Sequence, residues 1–297
     1  MSNVGRFLEP STVERLNQLQ LSARSVVEGN TTGQHRSPVK GASVEFRQHR
    51  FYVPGDEPRR LDWRVLARTN RPYIKEYDEE TNLRCVLVLD ASGSMAYGDK
   101  RGSKFDYASR LAAALAYLML GQTESVGLAT CGEKVQQWLA PHAGTGQLSR
   151  VVETLERAVP RGPSTLHQAM HEVAERVRRR ALIIVLSDLF APAERIREGV
   201  ARLRHGRHEV ILMQVLHRNE IEFPFQHWSR FRGLEGERPQ LCETALVRQV
   251  YLDNFRVHRG AIEEACRALR AEFVPFTTDR PVIEALTGFL RRRRSVG

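Results

Sequence analysis

Two stretches of this chain, CVLVL at 85–89 and ALIIVL at 181–186, are apolar without a break. Each runs straight into oxygen-bearing side chains, Asp90 after the first and Ser187 and Asp188 after the second. Side chains alternate between the two faces of a strand, so an unbroken apolar run suits a strand buried on both faces. Sheets covered on both sides are typically parallel, with helices in the crossovers. The surrounding sequence agrees. Helical patterns at 104–120 (KFDYASRLAAALAYLML), 146–159, 165–180, 193–205, 243–271 and 281–293 are interleaved with strand-like runs at 125–130, 209–216 and 272–278. The alternation predicts an α/β fold: a mostly parallel sheet, right-handed crossovers, and helices on both faces.

Two segments depart from it. SVGLAT (125–130) and VQQWLA (135–140) are four residues apart, a hairpin distance. Residues 217–243 interrupt the alternation with EIEFPF and WSRFRGLEGERPQLCE, which predicts a small β-hairpin inserted at the rim near 227–243. Upstream, 11–27 reads as an amphipathic helix with Ser11 and Glu14 as a capping box, and 28–42 as a loop. Residues 43–80 carry short β-like runs, VEFRQHRFYV and PYIKEY, around a turn-rich PGDEPRR. The expected division is a helical and β-rich extension over 1–79 and the α/β domain over 80–297.

A chain of 297 residues can bury a full core. No apolar run approaches the roughly 20 residues of a membrane span. The start, MSNVGRFLEP, lacks the apolar core of a signal peptide, so a cytoplasmic protein is expected. Cys85, Cys131, Cys242 and Cys266 form no C-x-x-C pair and read as reduced thiols. The net charge is +10, and all basic residues except Lys40, Lys75, Lys100, Lys104 and Lys134 are arginine. This balance favours acidic partners. The clusters at 176–180 and 291–294 read as a solvated helix face and a frayed tail. No zinc finger, RNP-type aromatic motif or helix-turn-helix accompanies them, so a nucleic-acid-binding module is a minor alternative.

In an open parallel sheet, ligands sit outside the carboxyl ends of the strands. Asp90 with Ser92 and Ser94 stands at one such end, and Ser187 with Asp188 at another. A third loop, RGPSTLHQ at 161–168, adds Ser164 and Thr165 just before a helix. Hydroxyls and carboxylates without imidazole or thiolate suit a hard ion, Mg²⁺ or Mn²⁺. Neutral hydroxyls leave much of the ion's charge uncompensated, which favours docking of an outside carboxylate over catalysis. Ser94, Thr165 and Asp188 could each be a helix cap alone, and only their joint placement argues for a metal. A phosphate loop fails because Asp99 stands where the lysine should be. Asp90 as the nucleophile of a metal-dependent hydrolase or phosphatase lacks a second acid two residues on. Ser92 and Ser94 lack the glycines of a nucleophile elbow. In HQAMH (167–171), Gln168 takes the general-base position of a zinc protease motif, so zinc is not expected there.

DASGS at 90–94 resembles the D-x-S-x-S element of von Willebrand factor A-like domains and their metal-ion-dependent adhesion site. The resemblance implies Ser92, Ser94 and Thr165 as direct ligands, and Asp90 and Asp188 as ligands directly or through water. Where that family has Gly-Gly-Thr, this chain has Pro163-Ser164-Thr165, which makes Ser164 a competing ligand. Residues 33–77 resemble the signature of the domain of unknown function 58 family, with landmarks including His35, Glu45, Arg50, Pro54, Asp56, Asp62, Trp63 and Lys75. The likeness extends over about 28–290. It implies a non-enzymatic, metal-dependent adaptor working with a MoxR-type AAA+ ATPase in the maturation of other complexes, through an acidic residue of the partner. Within 33–77, Asp56, Arg60, Asp62 and Arg68 read equally as an ion-pair network, with Trp63 as a buried plug.

Overall fold

The computed structural model describes residues 4–8, 10–17, 19, 44–53, 61–79, 83–144 and 146–295. Contacts divide the chain into two units, one of Met1–Arg24 with Leu83–Gly297 and one of Ser25–Asn82. The expected N-terminal part of 1–79 is therefore itself divided, its first helices grouping with the α/β domain.

The described helices are α1 (Val4–Phe7), α2 (Pro10–Leu16), α3 (Trp63–Thr69), α4 (Lys104–Gly121), α5 (Gln147–Arg157), α6 (Leu166–Arg176), α7 (Ala193–His205), α8 (Arg218–Glu222), α9 (Thr244–Ala268) and α10 (Val282–Ser295). The strands are β1 (Val44–Phe51), β2 (Tyr73–Glu79), β3 (Arg84–Asp90), β4 (Gly98–Asp99), β5 (Gly102–Ser103), β6 (Ser125–Cys131), β7 (Val135–His142), β8 (Leu182–Ser187), β9 (Glu209–Leu216), β10 (Trp228–Phe231), β11 (Gln240–Glu243) and β12 (Glu272–Thr277).

In the larger unit, six strands form one sheet in the order β12-β9-β8-β3-β6-β7. Every neighbouring pair is parallel except the β6-β7 hairpin. The unbroken apolar runs divide by parity, as a doubly covered sheet requires. Leu87 and Leu89 of β3 and Ile184 and Leu186 of β8 join one core with Leu111 and Leu115 of α4 and Leu286 of α10. Val86, Val88, Ile183 and Val185 join a second core with Met170 of α6, Ile196 of α7 and Ile262 of α9. The chain leaves β3 toward β6 on one side and returns to β8 on the other. That makes the gap between β3 and β8 a topological switch point, where the carboxyl ends of the strands open a crevice. The hairpin expected near 227–243 is β10-β11, paired from Trp228↔Glu243 to Phe231↔Gln240.

Several features correct expectations. Helix α6 ends at Arg176, so Arg178, Arg179 and Arg180 follow the helix and are not part of its face. Arg293 is not part of a frayed tail. It lies on the stripe of α10 that carries Ile283, Leu286 and Leu290 into the core, is 6% exposed, and pairs with Glu209 at the start of β9 and Glu272 at the start of β12. Trp63 is no buried plug but is 63% exposed on α3 of the smaller unit. There Asp62 caps α3, its carboxylate accepting from the Arg64 amide at 3.0 Å. β1 and β2 pair antiparallel in that unit, with a bulge between Phe46 and Gln48. Asp56 and Arg60 lie outside the described residues, whereas the helix expected over 11–27 is the shorter α2, which already starts at Pro10 and ends at Leu16, so Ser11 is its second residue and not its cap. Cys85, Cys131 and Cys266 are buried thiols and Cys242 is half-buried, all unbridged.

Candidate functional site

Asp90 ends β3 beside Ser187, the last residue of β8, and both are buried. The Asp90 carboxylate is held on both oxygens. Oδ1 accepts from the Ser92 amide at 2.9 Å, an Asx-type turn that folds the chain back at once after the strand. Oδ2 accepts from the Ser187 hydroxyl at 2.6 Å and the Ser164 hydroxyl at 3.4 Å. Three segments far apart in sequence therefore meet on one carboxylate. Burial, and then the charge of Asp188, push the Asp90 carboxyl up to about 6, against the lowering pull of the Ser187 and Ser92 hydrogen bonds.

The Ser92 and Ser94 hydroxyls lie 3.2 Å apart. Adjacent ligands around Mg²⁺, each about 2.0–2.1 Å from the ion at right angles, would be about 2.9 Å apart, so the pair spans nearly one edge of such an octahedron. The loop after α5 is pinned alongside: the Gly93 amide donates to the Gly162 carbonyl at 2.8 Å and the Arg161 amide to the Ala91 carbonyl at 2.9 Å. Ser164 turns its hydroxyl to Asp90, whereas Thr165 donates its own to the carbonyls of Glu133 and Gly132. Thr165 occupies the N-cap of α6 without a side-chain capping bond, and Ser92 likewise makes none to the short helical turn it precedes. Simple capping does not account for these hydroxyls.

Asp188 is buried just beyond β8. Its Oδ1 accepts from the Phe190 amide at 3.2 Å, and its Oδ2 accepts from Lys104 Nζ at 2.7 Å. Lys104 is wholly buried at the first turn of α4, where the capping box of Ser103 and Asp106 starts the helix. Its ammonium also reaches Glu220 of α8 at 2.6 Å and lies 4.8 Å from the Phe190 ring centroid. Burial would lower the lysine, but Asp188 and Glu220 outweigh it and hold the ammonium above its usual range. Burial raises Glu220 in turn, against the pull of Lys104. Replacing Lys104 by Met leaves buried Asp188 and half-buried Glu220 without their shared cation. The expected loss is about 3–5 kcal/mol of folding stability, read from urea unfolding, and a change under about 1 kcal/mol would show that the carboxylates are not buried as described.

The tip of the β10-β11 hairpin closes over the two loops. Glu235 Oε1 accepts from the Ser94 amide at 3.3 Å and Oε2 from the Ser164 amide at 3.0 Å. A Cβ at Gly93 would stand 2.0 Å from the Leu234 carbonyl oxygen, so glycine is what lets the tip's backbone lie on this loop. Gly93→Ala is expected to lift the tip, seen as faster amide exchange and proteolysis over 232–237 with the core strands still protected. Unchanged protection there would contradict the contact.

Among the described residues, no three His, Cys, Asp or Glu side chains cluster as a metal site. A cation here would rely on hydroxyls. The donor set fits one: a hydroxyl pair at ligand spacing, Ser164 beside it, and buried Asp90 and Asp188 with half-buried Glu220 carrying more negative charge than Lys104 neutralises.

The model of the family described as protein of unknown function DUF58 matches residues 48–261. The chain belongs to this family. Among its relatives, the uncharacterized protein Rv1480 of Mycobacterium tuberculosis is 26% identical over 303 residues, covering 98% of this chain and 92% of that one. A solved structure of an aerotolerance-related membrane protein from Bacteroides fragilis aligns with a TM-score of 0.50 at 15% identity, over 71% of this chain and 99% of that one. The von Willebrand factor A domain of SpRpn10 aligns with a TM-score of 0.41 at 13% identity, over 69% and 94%. The mostly parallel six-stranded sheet with helices on both faces is the α/β fold that this DUF58 protein shares with the Bacteroides fragilis structure. None of its described helices is long and apolar enough to cross a membrane.

Lys104, Glu220 and Glu235 were not legible as site residues of this DUF58 chain. Lys104 did carry a signal. A cation at the first position of a helix opposes the helix dipole, so its presence there calls for a compensating anion.

Proposed function

We propose that this chain is a non-enzymatic protein-binding adaptor whose crevice between β3 and β8 takes Mg²⁺ or Mn²⁺ and, through it, an acidic side chain of a partner. Ser92 and Ser94 would hold the ion, with Ser164 or Thr165, Asp90 and Asp188 completing its surroundings directly or through water. The ion would supply a positive vertex for an incoming carboxylate. The observation that carries this reading is the convergence on Asp90 of Ser92, Ser164 and Ser187 from three separate segments, beside the Ser92–Ser94 hydroxyl pair. Both Asp90 oxygens are engaged by these donors, which favours an orienting role over that of a nucleophile attacking phosphate or ester.

The partner class rests on the family resemblance, which points to a MoxR-type AAA+ ATPase acting on the maturation of other complexes. Affinity capture from native cells, with the full chain as bait, tests it. Such an ATPase retained in Mg²⁺, released by chelator, and lost with Asp90→Asn is the expected result. Retention indifferent to both chelator and substitution would refute it.

A further inference from the structure

We propose that Glu235 is the site's own acidic ligand, a carboxylate supplied in cis that occupies the partner's place until the hairpin tip lifts; this rests on the metal-dependent reading above. One carboxylate group spans both loops that carry the candidate ligands, accepting from the amides of Ser94 and Ser164. These donors are 141 and 71 residues away in sequence, so the contact is tertiary and depends on the inserted hairpin. The tip is shaped for presentation. Gly236 has φ +103, a conformation that favours glycine, and the Glu235 amide donates to Glu237 Oε2 at 3.1 Å. Gly93 leaves the room into which the Leu234 backbone settles.

Charge gives the seating its meaning. A carboxylate brought onto the loops of Asp90 and Asp188 adds like charge to a site already rich in it, and Lys104 faces Asp188 and Glu220 rather than Glu235. A divalent cation between them reverses the sign of that interaction. Phe231 anchors the hairpin against Phe223 and Phe225, while Trp228 and Leu241 are 65% and 66% exposed, so the tip beyond Phe231 can lift without opening the core. A competing partner would present an acidic residue on an extended segment of the same kind.

The test uses the full chain, with Mn²⁺ as one probe and a labelled peptide of residues 231–239 (FRGLEGERP) as the other. Glu235→Gln is expected to bind Mn²⁺ at least about tenfold more weakly than wild type. It should also bind the peptide, only with Mn²⁺ present, at least about tenfold more tightly, because a tethered carboxylate competes at an effective concentration on the order of millimolar. The peptide carrying glutamine in place of its first glutamate should not bind. If Glu235→Gln matches wild type with both probes while Asp90→Asn loses Mn²⁺, the metal reading stands and the cis ligand falls. If wild type itself binds no Mn²⁺, both fall.

Discussion

Asp90→Asn is expected to abolish the stabilisation of the fold by Mn²⁺. For wild type, an ion concentration about one hundred times its dissociation constant should add about 2.7 kcal/mol, a rise of about 5–10 °C in melting temperature for a unit of this size. The asparagine is nearly isosteric and can still accept from the Ser92 amide, so the ion-free protein should remain folded. What it loses is the charge on which the Ser187 and Ser164 hydroxyls converge. A thermal scan with and without Mn²⁺ checks this, and an equal rise in the two proteins would place the ion elsewhere.

Arg293→Ala should cost about 3–5 kcal/mol of stability, since it removes a buried cation shared by Glu209 and Glu272 at the starts of two adjacent strands. Arg291, exposed two residues earlier on the other side of α10, is the control, and Arg291→Ala should change stability by less than about 0.5 kcal/mol. Equal losses in urea unfolding would mean that Arg293 acts as ordinary tail charge.

The larger unit was legible because its signals are local and periodic. The runs at 85–89 and 181–186 became β3 and β8, and α7 and β9 span the residues their patterns marked. The meeting of Asp90 with Ser187 follows from those runs, because neighbouring parallel strands align their carboxyl ends. Glu235 was not legible, since a glutamate in a glycine-rich hairpin tip is indistinguishable from any solvated turn residue until the hairpin is folded back on Gly93. Arg293 was misread from composition, as one of four consecutive arginines. Its spacing from Ile283, Leu286 and Leu290 already placed it on the buried stripe of α10. Trp63 was misread in the opposite sense, as a large aromatic residue assumed to be core.

The most direct test of the central claim is to locate the ion. Crystals of the full chain grown with MnCl₂ and measured at the manganese absorption edge are expected to show an anomalous peak at bonding distance from the Ser92 and Ser94 hydroxyls, beneath Glu235. No peak there at saturating Mn²⁺, or one bound only to surface carboxylates, would contradict the account.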